Sequence, residues 1–309
     1  LLENPADTAL LELLSALSED GYSFTSTTPA THRRVIARKA EAQDLRDVFG
    51  WSLPFREASV PHKFVELLQR ADALERSGDG LRSKVRVSSL DGELFLHSAY
   101  PTSDADSVFF GPDTYRYASL LEAEVPRPGT VRHIVDVGAG SGAGGIVAAK
   151  LVPGAALTLT DVNASALRLA AINAAHARID AAIVEGAGLD EVGGEIDLVI
   201  ANPPYIMDQD ERAYRDGGGM HGAQLSFDWS LAAAHRLTPG GHMILYTGVA
   251  IVKGRDELRA ALERSLPELG CSLTYRELDP DVFGEELDKP AYKDVERIAA
   301  IGAIIAKAL

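Results

Sequence analysis

The chain is short of several things, and each shortage excludes something. One cysteine, Cys271, in 309 residues rules out a disulfide scaffold and any cysteine-cluster metal site. The histidines show no metal-ligand spacing. No uncharged apolar run is long enough to cross a membrane as a helix. Tryptophan is scarce, and Trp51 and Trp229 both read as packing residues. Positive charge is also short: 30 Lys and Arg stand against 45 Asp and Glu, a net of -15. Such a chain should not adhere non-specifically to nucleic acid or anionic membrane. The opening, Leu1 to Leu17, has no basic stretch ahead of its apolar positions, so no secretory leader is expected. With one cysteine, the expected location is the cytoplasm.

What is present divides near residue 105. Before it, leucines at positions 10, 13, 14 and 17 give a helix over 6–17. Residues 22–31 are polar and turn-rich, and helices are expected over 40–49 and 61–74. In 81–100, Val85 and Val87 alternate with polar residues, Asp91-Gly92 makes a hairpin turn, and Leu94 and Leu96 alternate beyond it. Three short helices followed by a hairpin resemble a winged-helix module. After residue 105, β-rich runs at 132–137, 156–160, 182–185, 196–201, 241–247, 272–278 and 298–307 alternate with helices at 142–151, 164–176, 225–237 and 256–265. This alternation predicts an α/β fold around a mostly parallel sheet. The last two strands lack a helix between them, which predicts an antiparallel edge. Two domains are expected, 1–105 and 106–309.

The run Ile134-Val-Asp-Val-Gly-Ala-Gly-Ser-Gly-Ala-Gly-Gly145 follows a strand and opens a helix. Its glycines permit positive φ and close approach of a ligand to the backbone, and the helix N-terminus offers free N–H groups. Asp161 ends the next strand, where a carboxylate can accept two ribose hydroxyls. Gly140-x-Gly142-x-x-Gly145 also satisfies the dinucleotide pattern, so a nicotinamide cofactor and an oxidoreductase remain an alternative. Asp136 argues against it, because a carboxylate there repels a pyrophosphate and suits a cationic ligand such as S-adenosylmethionine.

A buried strand then ends in Asn202-Pro-Pro-Tyr205. The prolines stiffen the backbone and remove donors. The Asn202 amide oxygen and the Pro203 carbonyl can grip the two hydrogens of an NH2 group and aim its lone pair. Pro204 holds the turn, and Tyr205 can stack on the flat group that carries the NH2.

With their order and spacing, these motifs resemble the class I S-adenosylmethionine-dependent methyltransferases that methylate planar nitrogens, over about residues 106–309. The resemblance implies a Rossmann-like seven-stranded sheet with an antiparallel last strand, beside a smaller α+β N-terminal domain. It implies that Asp136, Gly138, Ala139, Gly140 and Gly142 line the cofactor site. Asp161, with Val162 beside it, would hold the ribose, and Asn202 to Tyr205 would hold the acceptor, Asn202 bordering the cofactor. Phe110-Gly-Pro-Asp-Thr-Tyr115 resembles a stretch near the cofactor of release-factor glutamine methyltransferases. Asp113 and Thr114 are therefore either cofactor neighbours or, for Asp113, a helix cap. The adenine contact falls to Glu185 or to backbone at Gly186 or Ala187.

The expected acceptor is macromolecular, with a base amino group of RNA or DNA (rRNA first) favoured over a glutamine of a translation factor. The overall charge of -15 favours protein, and the basic segment that favours nucleic acid reads either as a grip on it or as a solvated helix face. Residues 32–86 hold 12 Lys and Arg against 8 Asp and Glu, a local net of +4. The glycine-rich run from Tyr214 to Gly222 reads as a lid or a loose connection. His221 within it is given no chemical role, and Cys271 reads as a small core residue.

Overall fold

The computed structural model describes residues 4–102, 104–126, 130–208 and 215–309. The N-terminal part runs α1 (Pro5–Glu19), α2 (Pro29–Ile36), α3 (Leu45–Phe49), α4 (His62–Arg70), then the hairpins β1–β2 (Leu74–Ser77, Gly80–Ser83) and β3–β4 (Val85–Leu90, Glu93–Ser98). Several expectations for this part need correcting. Residues 29–36 are helical: Thr28 accepts the N–H of Thr31 and Pro29 opens the first turn, so the polar residues are a cap. The helix expected from residue 40 begins only at Leu45, where Asp44 caps the Asp47 N–H. The helix expected to reach 74 stops at Arg70; Asp72 turns to positive φ and the unexpected hairpin β1–β2 follows.

The second part is α5 (Pro112–Glu124), β5 (His133–Val137), α6 (Ala143–Leu151), β6 (Ala156–Asp161), α7 (Ala164–His176), β7 (Ala181–Glu185), β8 (Ile196–Ala201), α8 (Gln224–Arg236), β9 (Leu237–Val252), β10 (Arg255–Asp256), α9 (Glu257–Ser265), β11 (Cys271–Asp279) and β12 (Arg297–Lys307). The main path of the sheet is β11-β12-β9-β8-β5-β6-β7, with β10 paired to β9. β7, β6, β5, β8 and β9 are mutually parallel, and β12 runs antiparallel to both β9 and β11. The α/β sheet is thus as expected, with its last strand reversed. That strand is not the edge, however. Ile298 to Ala303 are buried in an unbroken row, which suits a strand paired on both sides, whereas β11 alternates buried and exposed residues and takes the edge.

The two parts share a core. Leucines of α1 and aromatics of α3 and α4 pack with Ala166, Leu169 and Ile172 of α7. Asn173, fully buried on α7, accepts the Leu96 N–H (2.8 Å) and donates to the Leu96 carbonyl (3.0 Å) and the Ser141 carbonyl (2.9 Å). One amide therefore joins strand β4 to the loop between β5 and α6. Among the described residues, no helix is long and apolar enough to cross a membrane.

Candidate active site

Residues at the carboxyl ends of β5, β6 and β8 line a cavity of about 370 Å³, within the size range of small-ligand sites. The loop after β5 forms its floor. Gly138, Gly140 and Gly142 hold φ of 68°, 54° and 76°, which side-chain-bearing residues rarely adopt. The N–H groups of Gly138 and Ala139 both donate to the Thr160 carbonyl at 2.8 and 3.0 Å, tying the turn to the next strand. A Cβ on Gly138 would lie 2.7 Å from the Trp229 ring, so the glycine is also needed for closeness.

Two of the cavity's carboxylates flank the glycine turn. Asp161 ends β6; one oxygen accepts the Gly140 N–H and the other the Asn163 N–H, both at 2.9 Å. Each oxygen keeps a lone pair for a further donor such as a hydroxyl. Burial raises the Asp161 pKa, and those backbone donors oppose the rise. Asp136 is 2% exposed and accepts the Gly145 N–H at 2.7 Å from the first turn of α6. Burial pushes its pKa up to about 7, the Gly145 bond pulls it back, and the nearby Asp161 charge adds to the rise. Within the cavity, no described Lys or Arg pairs with either carboxylate, so the floor is suited to a cation.

Asn202, Pro203, Pro204 and Tyr205 line the same cavity. Among the described residues, nothing hydrogen-bonds the Asn202 side-chain amide, which leaves its oxygen available. Tyr205 is held firmly: its hydroxyl donates to Asp113 at 2.7 Å, and the Tyr246 hydroxyl donates to the other Asp113 oxygen at 2.6 Å. Arg116 stands 3.2 Å from the same carboxylate. The cap of α5 is Gly111, so Asp113 is not the cap; it lies on the cavity wall with its oxygens taken by two tyrosines. Burial first, then the Asp113 charge, holds the Tyr205 phenol well above its ordinary pKa. Its ring meets Phe283 edge-on at 5.7 Å. Thr114 also lines the cavity, though its hydroxyl accepts the Gly111 N–H.

Gly186, Ala187 and the exposed Val162 line the cavity, and Glu185 does not; its side chain is exposed at the end of β7. Trp229, read from the sequence as packing, is a wall residue whose indole N–H donates to the Ala187 carbonyl at 3.2 Å. Phe109 and Phe283 are wall residues too. Phe109 adjoins the Phe110 to Tyr115 stretch, a signal that could have found it. Phe283 has positive φ in the loop before β12 and carries no local signal. Tyr214 lies outside the described residues. From Gly217 onward the glycine run is pinned: the Gly217 N–H donates to Ile206, and a Cβ on Gly222 would lie 2.4 Å from the Tyr205 carbonyl. The described part of the run thus braces the Asn202 to Tyr205 turn. Cys271 is buried, as expected.

Residues 108–251 match the model of the methyltransferase small domain family. The release factor glutamine methyltransferase of Deinococcus radiodurans is 31% identical over 222 residues, which are 70% of this chain and 78% of that one. This chain belongs to the S-adenosylmethionine-dependent methyltransferases. Its cofactor is therefore S-adenosylmethionine, and the dinucleotide alternative falls away. Ribosomal RNA large subunit methyltransferase G of Vibrio vulnificus is 33% identical over 107 residues, 33% of this chain and 28% of that enzyme. A transferase structure from Pyrococcus horikoshii shares the fold at a TM-score of 0.50 and 12% identity, covering 91% of this methyltransferase and 99% of that chain.

Proposed function

We propose that this methyltransferase transfers the methyl group to a planar amino nitrogen, that of a base in nucleic acid, with ribosomal RNA first. The supporting observation is the unpartnered Asn202 amide beside Pro203, on a wall that two tyrosine hydroxyls and Asp113 hold still. When bound, S-adenosylmethionine supplies an electrophilic methyl on a sulfonium. Asp161 would take the ribose hydroxyls, the 138–142 turn with Gly186 and Ala187 would hold the nucleoside, and Asp136 would favour the cationic end. The Asn202 oxygen and the Pro203 carbonyl accept the two amino hydrogens and turn the lone pair toward the methyl, with Tyr205 against the flat acceptor. Residues 1–105 serve as the substrate-recognition module.

A glutamine of a translation factor is the second reading. The longer match to the Deinococcus enzyme and the Phe110 to Tyr115 stretch favour it. Incubating the enzyme and methyl-labelled cofactor with extract from a deletion strain separates the two. Label that nuclease releases, and that mass spectrometry places on an exocyclic nitrogen, is expected. Label released only by protease would overturn the nucleic-acid reading in favour of glutamine.

A further inference from the structure

Three basic side chains from three elements meet one short piece of backbone in the N-terminal part. The Arg86 Nε of β3 donates to the Gly50 carbonyl at 2.9 Å, His32 of α2 meets the Trp51 carbonyl at 3.0 Å, and the Arg82 Nε of β2 donates to the Ser52 carbonyl at 2.9 Å. Arg86 is 5% exposed and His32 1%. Among the described residues, neither Arg82 nor Arg86 has a carboxylate partner. A buried guanidinium usually has one, because removing its charge from water is costly. The Nη2 of Arg86 goes to the Ser26 hydroxyl at 3.1 Å, and the His32 Nδ1 is buried and unpartnered. Aromatic faces surround the group: Tyr100 stacks on His32 at 4.0 Å, and Trp51 lies 5.2 Å from it. Burial first, then the Arg86 and Arg82 charges, lowers the His32 pKa to about 4, so the ring is neutral and feels a positive potential.

The surroundings extend this in two directions. Outward, Arg33, Arg34 and Arg38 are exposed around the end of α2 with no ion-pair partner among the described residues. Several other N-terminal cations are paired, Lys39 with Asp47, Lys63 with Asp20 and Arg70 with Glu12, although Arg46 and Arg76 have no ion pair among the described residues. Inward, Ser26 meets Ser88, Ser88 meets His97, and His97 stacks on Phe110 at 5.1 Å, next to the cavity-lining Phe109.

We propose that the half-buried Arg82 and the exposed Arg33, Arg34 and Arg38 form a phosphate-binding site for the backbone of a single-stranded nucleic-acid acceptor, with the buried Arg86 adding positive potential from within. A bound phosphate supplies the counter-charge that this cluster lacks, and the partly exposed Tyr100 and Trp51 offer faces for neighbouring bases. It rests on the nucleic-acid reading given above. A protein acceptor would need a hydrogen-bonding or apolar surface there, and the cluster offers uncompensated cations instead.

The test uses the full chain and a fluorescein-labelled, mixed-sequence single-stranded oligoribonucleotide, followed by anisotropy over a range of salt. Arg82 is half-buried and its removal is compatible with folding. R82Q is expected to bind about three- to tenfold more weakly at low salt and to lower the slope of log K against log salt by about 1. R82K should recover most of the loss, since a phosphate contact needs the charge. An Arg33→Gln, Arg34→Gln double variant should lower the slope further. S-adenosylmethionine affinity, measured alongside, should not move and reports that the fold is intact. An R82Q enzyme that binds the oligonucleotide with the wild-type slope and methylates RNA at the wild-type rate overturns the site and leaves the acceptor reading standing. Label found only in protein, with no salt-dependent RNA binding by the wild type, overturns both.

Discussion

At the cavity, the catalytic half buries carboxylates: Asp136 against a single backbone N–H, and Asp113 against two tyrosine hydroxyls with Arg116 alongside. The N-terminal half buries Arg86, His32 and His97 against carbonyls and hydroxyls, with the His32 Nδ1 left unpartnered. Among its described residues the one fully buried carboxylate, Asp47, is paired with Lys39. A net charge of -15 conceals this opposition. Desolvated charge is costly, so each half stores a potential that a ligand of the opposite sign relieves. A cationic cofactor fits the first half. The second would suit the anionic acceptor proposed above, and the amide of Asn173 ties the halves together between β4 and the glycine turn.

The comparison can be broken at its strongest point first. Asn202→Ala removes the proposed acceptor grip and leaves the carboxylate floor untouched. The turnover of methyl transfer should fall by about a hundredfold or more, the scale of lost alignment, with S-adenosylmethionine affinity little changed by calorimetry. Full activity in this variant would remove the grip from the mechanism. The junction comes next. Asn173→Ala leaves the Leu96 N–H and two carbonyls buried without partners, and should cost about 2–4 kcal/mol. Urea unfolding measures it, and a loss of cooperativity there would mean the halves unfold separately.

Asp136 sharpens the electrostatic side. Its folded pKa of about 7 lies above the unfolded carboxylate value. The folded state therefore binds this proton more tightly, and this group adds stability as pH falls from about 7 toward the unfolded value. Cofactor affinity moves the other way. A cation prefers the ionised carboxylate, so affinity should weaken as pH drops through about 7. Asp136→Asn should lower affinity by about tenfold at pH 8, of order 1.4 kcal/mol, and flatten that pH dependence. A profile that stays steep in the variant would assign the titration to another group.

Much of the catalytic half was legible because its residues carry local requirements. Glycines that must hold positive φ, a carboxylate closing a strand and a double proline after a buried run are each visible in a short window. The N-terminal boundaries were not, since the helix over 45–49 begins where the Asp44 side chain reaches a backbone N–H and the helix over 62–70 ends at a positive φ that no glycine announces. Neither was the place of β12 inside the sheet, which depends on what pairs with both its edges. The far wall of the site was hidden for the same reason. Phe283 and Tyr246 reach the cavity and Asp113 only through the packing of distant strands.

Trp229 gives the smallest test, and it bears on what the cavity wall does for a neutral part of the ligand. Its indole N–H holds the Ala187 carbonyl, and its ring closes on Gly138, so it joins the β7 end to the glycine turn across the site. Trp229→Phe keeps an aromatic face but loses that one bond, a change of about 0.5–1.5 kcal/mol. S-adenosylmethionine affinity should fall by about three- to tenfold, with no change in its pH dependence, because no charge is altered. Trp229→Ala should cost more, since it also opens the wall to water. If Trp229→Phe instead shifted the pH profile, the wall and the carboxylate floor would be coupled, and the division between a charged floor and a neutral wall would have to be redrawn.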